Sequence, residues 1–122
     1  TNAIGPMWLA KRVVPALQLT QGFLVNVSGV VADTPMPGMA AYSASKAAAA
    51  AATEAIRREF RRKKVTVIDA RPPHTETGLA IRPLAGEAPK MPVGLEPAAV
   101  AERIVTAVER GESVVTSDDF GA

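Results

Sequence analysis

Two short apolar runs constrain the fold of this chain more than any other feature: Phe23-Leu24-Val25-Asn26-Val27 and Val65-Thr66-Val67-Ile68-Asp69-Ala70. Each has the length and the β-branched content of a strand buried on both faces. Between them lies the longest helical pattern, from about Met39 to Lys63, which includes the unbroken alanine run Ala47 to Ala52. A strand, a helix and a second apolar strand in succession call for a parallel sheet with covering helices, an α/β fold.

The flanking segments fit the same alternation. Met7, Trp8, Val13, Val14 and Leu17 give an amphipathic helix before the first strand, with Trp8 as a packing residue. Pro6 is tolerable only near its first turn, and Pro15 is expected to end or kink it. Six basic residues, Arg57, Arg58, Arg61, Arg62, Lys63 and Lys64, crowd the end of the long helix, where they complement its dipole. Residues 79–96 carry Pro83, Gly86, Pro89, Pro92 and Gly94, the composition of a long irregular loop. Glu96-Pro97 opens a third helix with Val100, Ile104, Val105 and Val108 at helical spacing and Gly111 as its stop. Ser113 to Thr116 reads as a last short strand.

Composition narrows the chemistry. At 122 residues and 48% apolar content the chain is a single globular unit, small for a complete dinucleotide enzyme. A net charge of +2, from 14 basic and 12 acidic residues, is too small to point to a nucleic-acid partner. With no cysteine and His74 as the single histidine, no metal site is expected. No apolar run approaches the roughly 18 residues of a membrane span and no signal peptide opens the chain, so a cytoplasmic location is the expectation.

The informative segment is Tyr42-Ser43-Ala44-Ser45-Lys46 at the start of the long helix. Residues four apart are neighbours on one helix face. An ammonium beside a phenol favours the phenolate, so such a pair can exchange a proton with a substrate hydroxyl or carbonyl near neutral pH. Alone, the spacing is common. Its setting adds weight: the pair follows the first strand across a loop that begins Asn26-Val27-Ser28-Gly29, and the second strand ends in Arg71-Pro72-Pro73-His74-Thr75-Glu76-Thr77. In parallel α/β sheets ligands sit at the carboxyl ends of the strands, so these segments face one crevice. His74 itself reads as an ordinary loop residue.

With these four features in this order, the sequence resembles the short-chain dehydrogenase/reductase family over nearly its whole length. Asn2-Ala3-Ile4-Gly5-Pro6 is similar to the family's helix with the active-site asparagine, Asn26-Val27-Ser28 to its serine-bearing strand end, and Tyr42 with Lys46 to its Tyr-x-x-x-Lys pair. Pro72 to Thr77 resembles the segment that contacts the nicotinamide and phosphates. The resemblance implies the C-terminal portion of a Rossmann-like doubly wound sheet, spanning residues 1–122, with the Gly-rich cofactor-anchoring portion outside the sequence. It implies an oxidoreductase using NAD or NADP, the two not being distinguishable here, on a small alcohol or carbonyl substrate. Tyr42 would be the general acid/base. Lys46 would bind the nicotinamide ribose and tune Tyr42, Asn2 would hold a relay water, and Ser28 would hydrogen-bond the substrate oxygen. Tyr42, Lys46, Pro72, Thr75 and Thr77 would contact the cofactor. The alanine run would lie in a homodimer or homotetramer interface.

Two positions depart from the family pattern. The serine usually stands 13 residues before the tyrosine, where this chain has Gly29, and Pro73 replaces a usual glycine. These departures favour an alternative, a non-catalytic relative acting as a binding or assembly module. Retention of Asn2, Ser28, Tyr42 and Lys46 together favours the enzyme.

Overall fold

The computed structural model describes residues 1–121. Helix α1 spans Ile4–Thr20, strand β1 Phe23–Val27, helix α2 Ala40–Phe60, strand β2 Thr66–Ala70, helix α3 Pro97–Arg110 and strand β3 Val114–Val115. The strands form one parallel sheet in the order β1-β2-β3, with Val25 opposite Ile68, Asn26 opposite Asp69 and Ala70 opposite Val115.

Alternation along the strands assigns the two faces. Ile68 is fully buried with Ala107 and Val115, and Val25, Val108 and Phe120 pack around them, so this face is covered by α3. Neighbouring residues Asn26 and Asp69 point the other way, and Asn26 Nδ2 donates to Thr53 Oγ1 of α2 at 2.9 Å. Helices thus lie on both faces, as in a doubly wound sheet. α2 sits close because the side chains turned inward are small: Ser43, Ala49, Ala50 and Thr53 are all buried. Ala49 and Ala50 are therefore spent inside the chain, and Ala51 is the outward-facing member of the pair Ala50-Ala51. That restricts any contact between subunits to the outer side of the alanine run.

Helix ends follow local chemistry. Pro97 occupies the first turn of α3, where its missing N–H costs nothing, and Gly111 closes the helix at φ 64°. At the far end of α2, Glu54 accepts hydrogen bonds from Arg57 and Arg58, which hold its carboxyl down to about 2. Three expectations need correction. α1 runs through Pro15 to Thr20, because the surrounding helix tolerates the loss of one backbone donor. Trp8 is 64% exposed, since α1 turns only Ala10 and Val14 fully inward and carries Ile4, Trp8 and Leu9 outward. β1 is not buried on both faces. It stands at the edge of the described sheet, leaving Phe23 and Val27 exposed, whereas β2 in the centre is buried from Val67 to Ala70.

The segment between β2 and α3 holds no helix or strand, but its neck is fastened. Thr75 and Leu95 form a parallel bridge, Leu95 N donates to His74 O, and Glu76 N donates to Leu95 O. The Glu76 carboxylate accepts the Gly94 N–H at 2.7 Å and lies 3.3 Å from His74 Nε2. A Cβ at Gly94 would stand 2.6 Å from the His74 carbonyl oxygen, so the neck closes only around a glycine.

Ile68→Ala should destabilise the protein by about 2–5 kcal/mol, the usual cost of emptying a well-packed core site, read as a lower denaturation midpoint at unchanged slope. Gly94→Ala should leave the unfolding free energy within about 1 kcal/mol of the parent, because the neck is peripheral to the core. It should nonetheless make residues 79–93 markedly more sensitive to limited proteolysis, measured as the initial cleavage rate.

Candidate functional site

The carboxyl ends of β1 and β2 open into a cleft of about 700 Å³. The turn after β1 forms its floor, the first turns of α2 one wall, and the segment after β2 with its long loop the other. Tyr42, Lys46, Ser28, Thr75 and Thr77 all line it, so the structure brings five of the expected site residues to one place. Pro72 lines it as well, and Asn2 does not.

The floor is a continuation of the β1–β2 ladder. Ser28 N and Gly29 N both donate to Ala70 O, and Val30 N donates to Pro72 O. Gly29 has φ 83° and ψ 162°, a conformation essentially restricted to glycine. The backbone of this turn thus explains why a serine is missing from that position and leaves Ser28 as the turn's hydroxyl. Ser28 is completely buried, and its Oγ donates to Asp69 Oδ1 at 2.6 Å.

Tyr42 and Lys46 sit on adjacent turns of α2, with Lys46 Nζ 5.9 Å from the centre of the Tyr42 ring. The ammonium donates to the Val27 carbonyl oxygen at 2.9 Å. Burial pushes the Lys46 pKa below the ordinary lysine value, and the nearby Asp69 carboxylate opposes that shift. Among the described residues the Tyr42 hydroxyl makes no hydrogen bond within the chain, so it is open to a ligand in the cleft. Asn2 lies behind the pair: its Nδ2 is 3.4 Å from Ser45 Oγ, which in turn donates to the Tyr42 carbonyl oxygen at 2.7 Å. Thr75 Oγ1 turns back to Pro73 O at 3.0 Å, and Thr77 N donates to Thr75 O, so the rim after β2 is a tight local turn.

The sequence reading passed over the charged group under this floor. Asp69 is 3% exposed and accepts from both Ser28 and Arg71 Nε, the latter at 2.7 Å, while Arg71 Nη1 also binds Asp33. The available signal was an aspartate inside an otherwise apolar strand, which is costly unless the carboxylate is paired. Arg82 was also missed. Its guanidinium is fixed at the cleft by the carbonyl oxygens of Thr77 and Gly78, and nothing in the loop's composition marks it.

The cleft has room and free polar groups for a ligand. Lys46 has ammonium protons beyond the one held by Val27, the phenol is unengaged, and the cleft is larger than these side chains fill. No strand–Gly-rich turn–helix unit to cradle a pyrophosphate occurs among the described residues.

Comparison with known proteins agrees with this geometry. Residues 1–87 match the model of the short chain dehydrogenase family. The chain is 29% identical to dehydrogenase/reductase SDR family member 7B of Bos taurus, across 97% of this chain and 39% of that protein. A short-chain dehydrogenase from Sphingobium yanoikuyae, solved in complex with NADPH, superposes with a TM-score of 0.83 at 26% identity, over 94% of this chain and 45% of the other. One from Burkholderia cenocepacia, in complex with NADP, gives 0.80 at 28% identity, over 95% and 46%. The chain therefore spans about two fifths of the length of the curated relatives it matches. The likeness establishes a portion of the family's fold without establishing that it is the C-terminal portion. With three parallel strands between two layers of helices, and Tyr42 and Lys46 together at the strands' carboxyl ends, this chain belongs to the short-chain dehydrogenase family.

Proposed function

We propose that the chain is the catalytic portion of a nicotinamide-dependent oxidoreductase that interconverts an alcohol and a carbonyl compound. The observation that carries this reading is the unengaged Tyr42 hydroxyl in the cleft, on the helix turn next to an anchored lysine ammonium. The structural relatives solved with NADPH and NADP support a dinucleotide of this class. The residues that choose between NAD and NADP, and those that hold the pyrophosphate, belong on this reading to polypeptide outside the 122 residues. When bound, the nicotinamide supplies or takes up the hydride.

This chain's residues do the rest. Tyr42 gives its phenolic proton to the carbonyl oxygen in the reductive direction and takes it back in the oxidative one. Lys46 holds the ribose with its remaining ammonium protons and stabilises the phenolate electrostatically. Asn2 touches α2 through Ser45, which supports a part for it in holding a relay water near Tyr42. Pro72, Thr75 and Thr77 form the rim against which the cofactor rests. Ser28 reaches a substrate oxygen only by giving up its bond to Asp69, so the reading rests on Tyr42 and Lys46. The cleft walls include Met36, Met39, Leu79 and Met91, which suits an apolar substrate. A binding or assembly module has one observation in its favour, the sequestered Ser28. Turnover of a panel of ketones with NADPH and NADH decides between the two.

In the full-length protein Tyr42→Phe should lower kcat by about 10²–10⁴-fold with unchanged circular dichroism. A rate within threefold of the parent, roughly 0.65 kcal/mol of barrier, would remove Tyr42 from the mechanism. Lys46→Ala should weaken dinucleotide binding in calorimetry.

A further inference from the structure

We propose that Asp69 is a positioning residue for the Tyr42–Lys46 pair: with Ser28 and Arg71 it clamps the turn after β1, whose Val27 carbonyl holds the Lys46 ammonium. The proposal rests on the reading of that pair as the reacting groups.

The clamp joins three segments through one carboxylate. Ser28 Oγ reaches Asp69 Oδ1 from the end of β1, Arg71 Nε reaches Oδ2 from the end of β2, and Arg71 Nη1 continues to Asp33 in the loop leading to α2. Ser28 is the next residue after Val27: the peptide between them is held by the Ser28 N–H bond to Ala70 O, and the side-chain bond to Asp69 fastens the same residue a second time beside the Val27 carbonyl. Packing alone does not account for an aspartate here. It lies in the central strand among Val67, Ile68 and Ala70, where an apolar side chain of similar size would avoid the cost of burying an ion. The carboxylate acts on Lys46 a second way, as the anion that opposes the effect of burial on the ammonium. The charged and polar groups around it are accounted for on each element: Ser28 from β1, Arg71 beyond β2 with Asp33 behind it, and Lys46 from α2.

The clamp also reassigns Ser28. A hydroxyl has one proton, and that of Ser28 is given to Asp69. Ser28 thereby anchors the floor of the cleft and is not a standing donor to substrate.

The test follows Lys46 directly. Full-length protein carrying ¹³Cε-labelled lysine is titrated by NMR, the Lys46 signal being assigned by its loss in Lys46→Arg. Asp69→Asn should lower the Lys46 midpoint further, because the half-buried ammonium loses its neighbouring anion. Ser28→Ala should raise it, because a freed turn lets the ammonium reach solvent. Both variants should weaken dinucleotide binding, and the double variant should be no weaker than the worse single one. If Asp69→Asn does not fold, Ser28→Ala decides alone, since it removes one oxygen and no charge. A Lys46 midpoint unmoved by the folded variants overturns the proposal. So does a Ser28→Ala protein that loses substrate turnover with its dinucleotide affinity intact, which is the signature of direct substrate contact. Failure of the parent to bind any dinucleotide would instead refute the proposed function; the Lys46 titration needs no cofactor and still decides the clamp.

Discussion

The parallel register that sets Val27 opposite Ala70 is the constraint on which the site depends. Because the two strands end level, the backbone groups just past them meet. Ser28 and Gly29 share the Ala70 carbonyl, and Val30 reaches Pro72. A slip of one residue would turn the side chains of the slipped strand to the opposite face, so that Asn26 and Asp69 could no longer lie side by side under α2. The same register decides which helix can carry chemistry. α2 lies over the face with the polar ladder, and its first turns reach the carboxyl ends of the strands.

That ladder is an unusual use of a central sheet. The α3 side is closed by Ile68, Ala107 and Val115, with no polar atom to satisfy. The α2 side carries Asn26 bonded to Thr53, Thr53 bonded back to Ala49 O, and Asp69 bonded to Ser28 and Arg71. Each hydrogen bond contributes only about 1 kcal/mol net, but each unmade one would cost more, so the helix seats in one position rather than several. No described buried side-chain nitrogen or oxygen lacks a partner. One face of the sheet thus supplies burial and the other supplies orientation.

Much of this was legible in the sequence. The helices, the two long strands, the irregular stretch from 79 to 96 and the convergence of Tyr42, Lys46, Ser28, Thr75 and Thr77 follow from periodicity, from Pro and Gly placement, and from the rule that parallel strands present ligands at one end. What was not legible depended on neighbours. Pro15 looks like a stop because local propensity ignores the turns on either side. Trp8 looks buried because size suggests packing, while α1 has apolar residues on more than one face. Gly29 looked like a lost serine, and only its φ of 83° shows the turn to require glycine. Asp69 went unremarked because a five-residue apolar strand is read as a block, and the partners that make its charge tolerable lie 41 and 2 residues away.

The balance at Lys46 shows why such a partner set matters. An ammonium near a phenol is useful only while it remains charged, and the partial burial that strengthens its field also disfavours its charge. A fully solvated lysine would keep its proton but act weakly on Tyr42. A lysine buried without an anion would act strongly but shed the proton at lower pH. The structure takes neither extreme: burial lowers the Lys46 pKa, the Asp69 carboxylate opposes part of that shift, and the Val27 carbonyl accepts one ammonium proton. Asp69 is held in place by Ser28 and Arg71, so the surroundings of a helix turn at the cleft depend on hydrogen bonds made in the sheet beneath it.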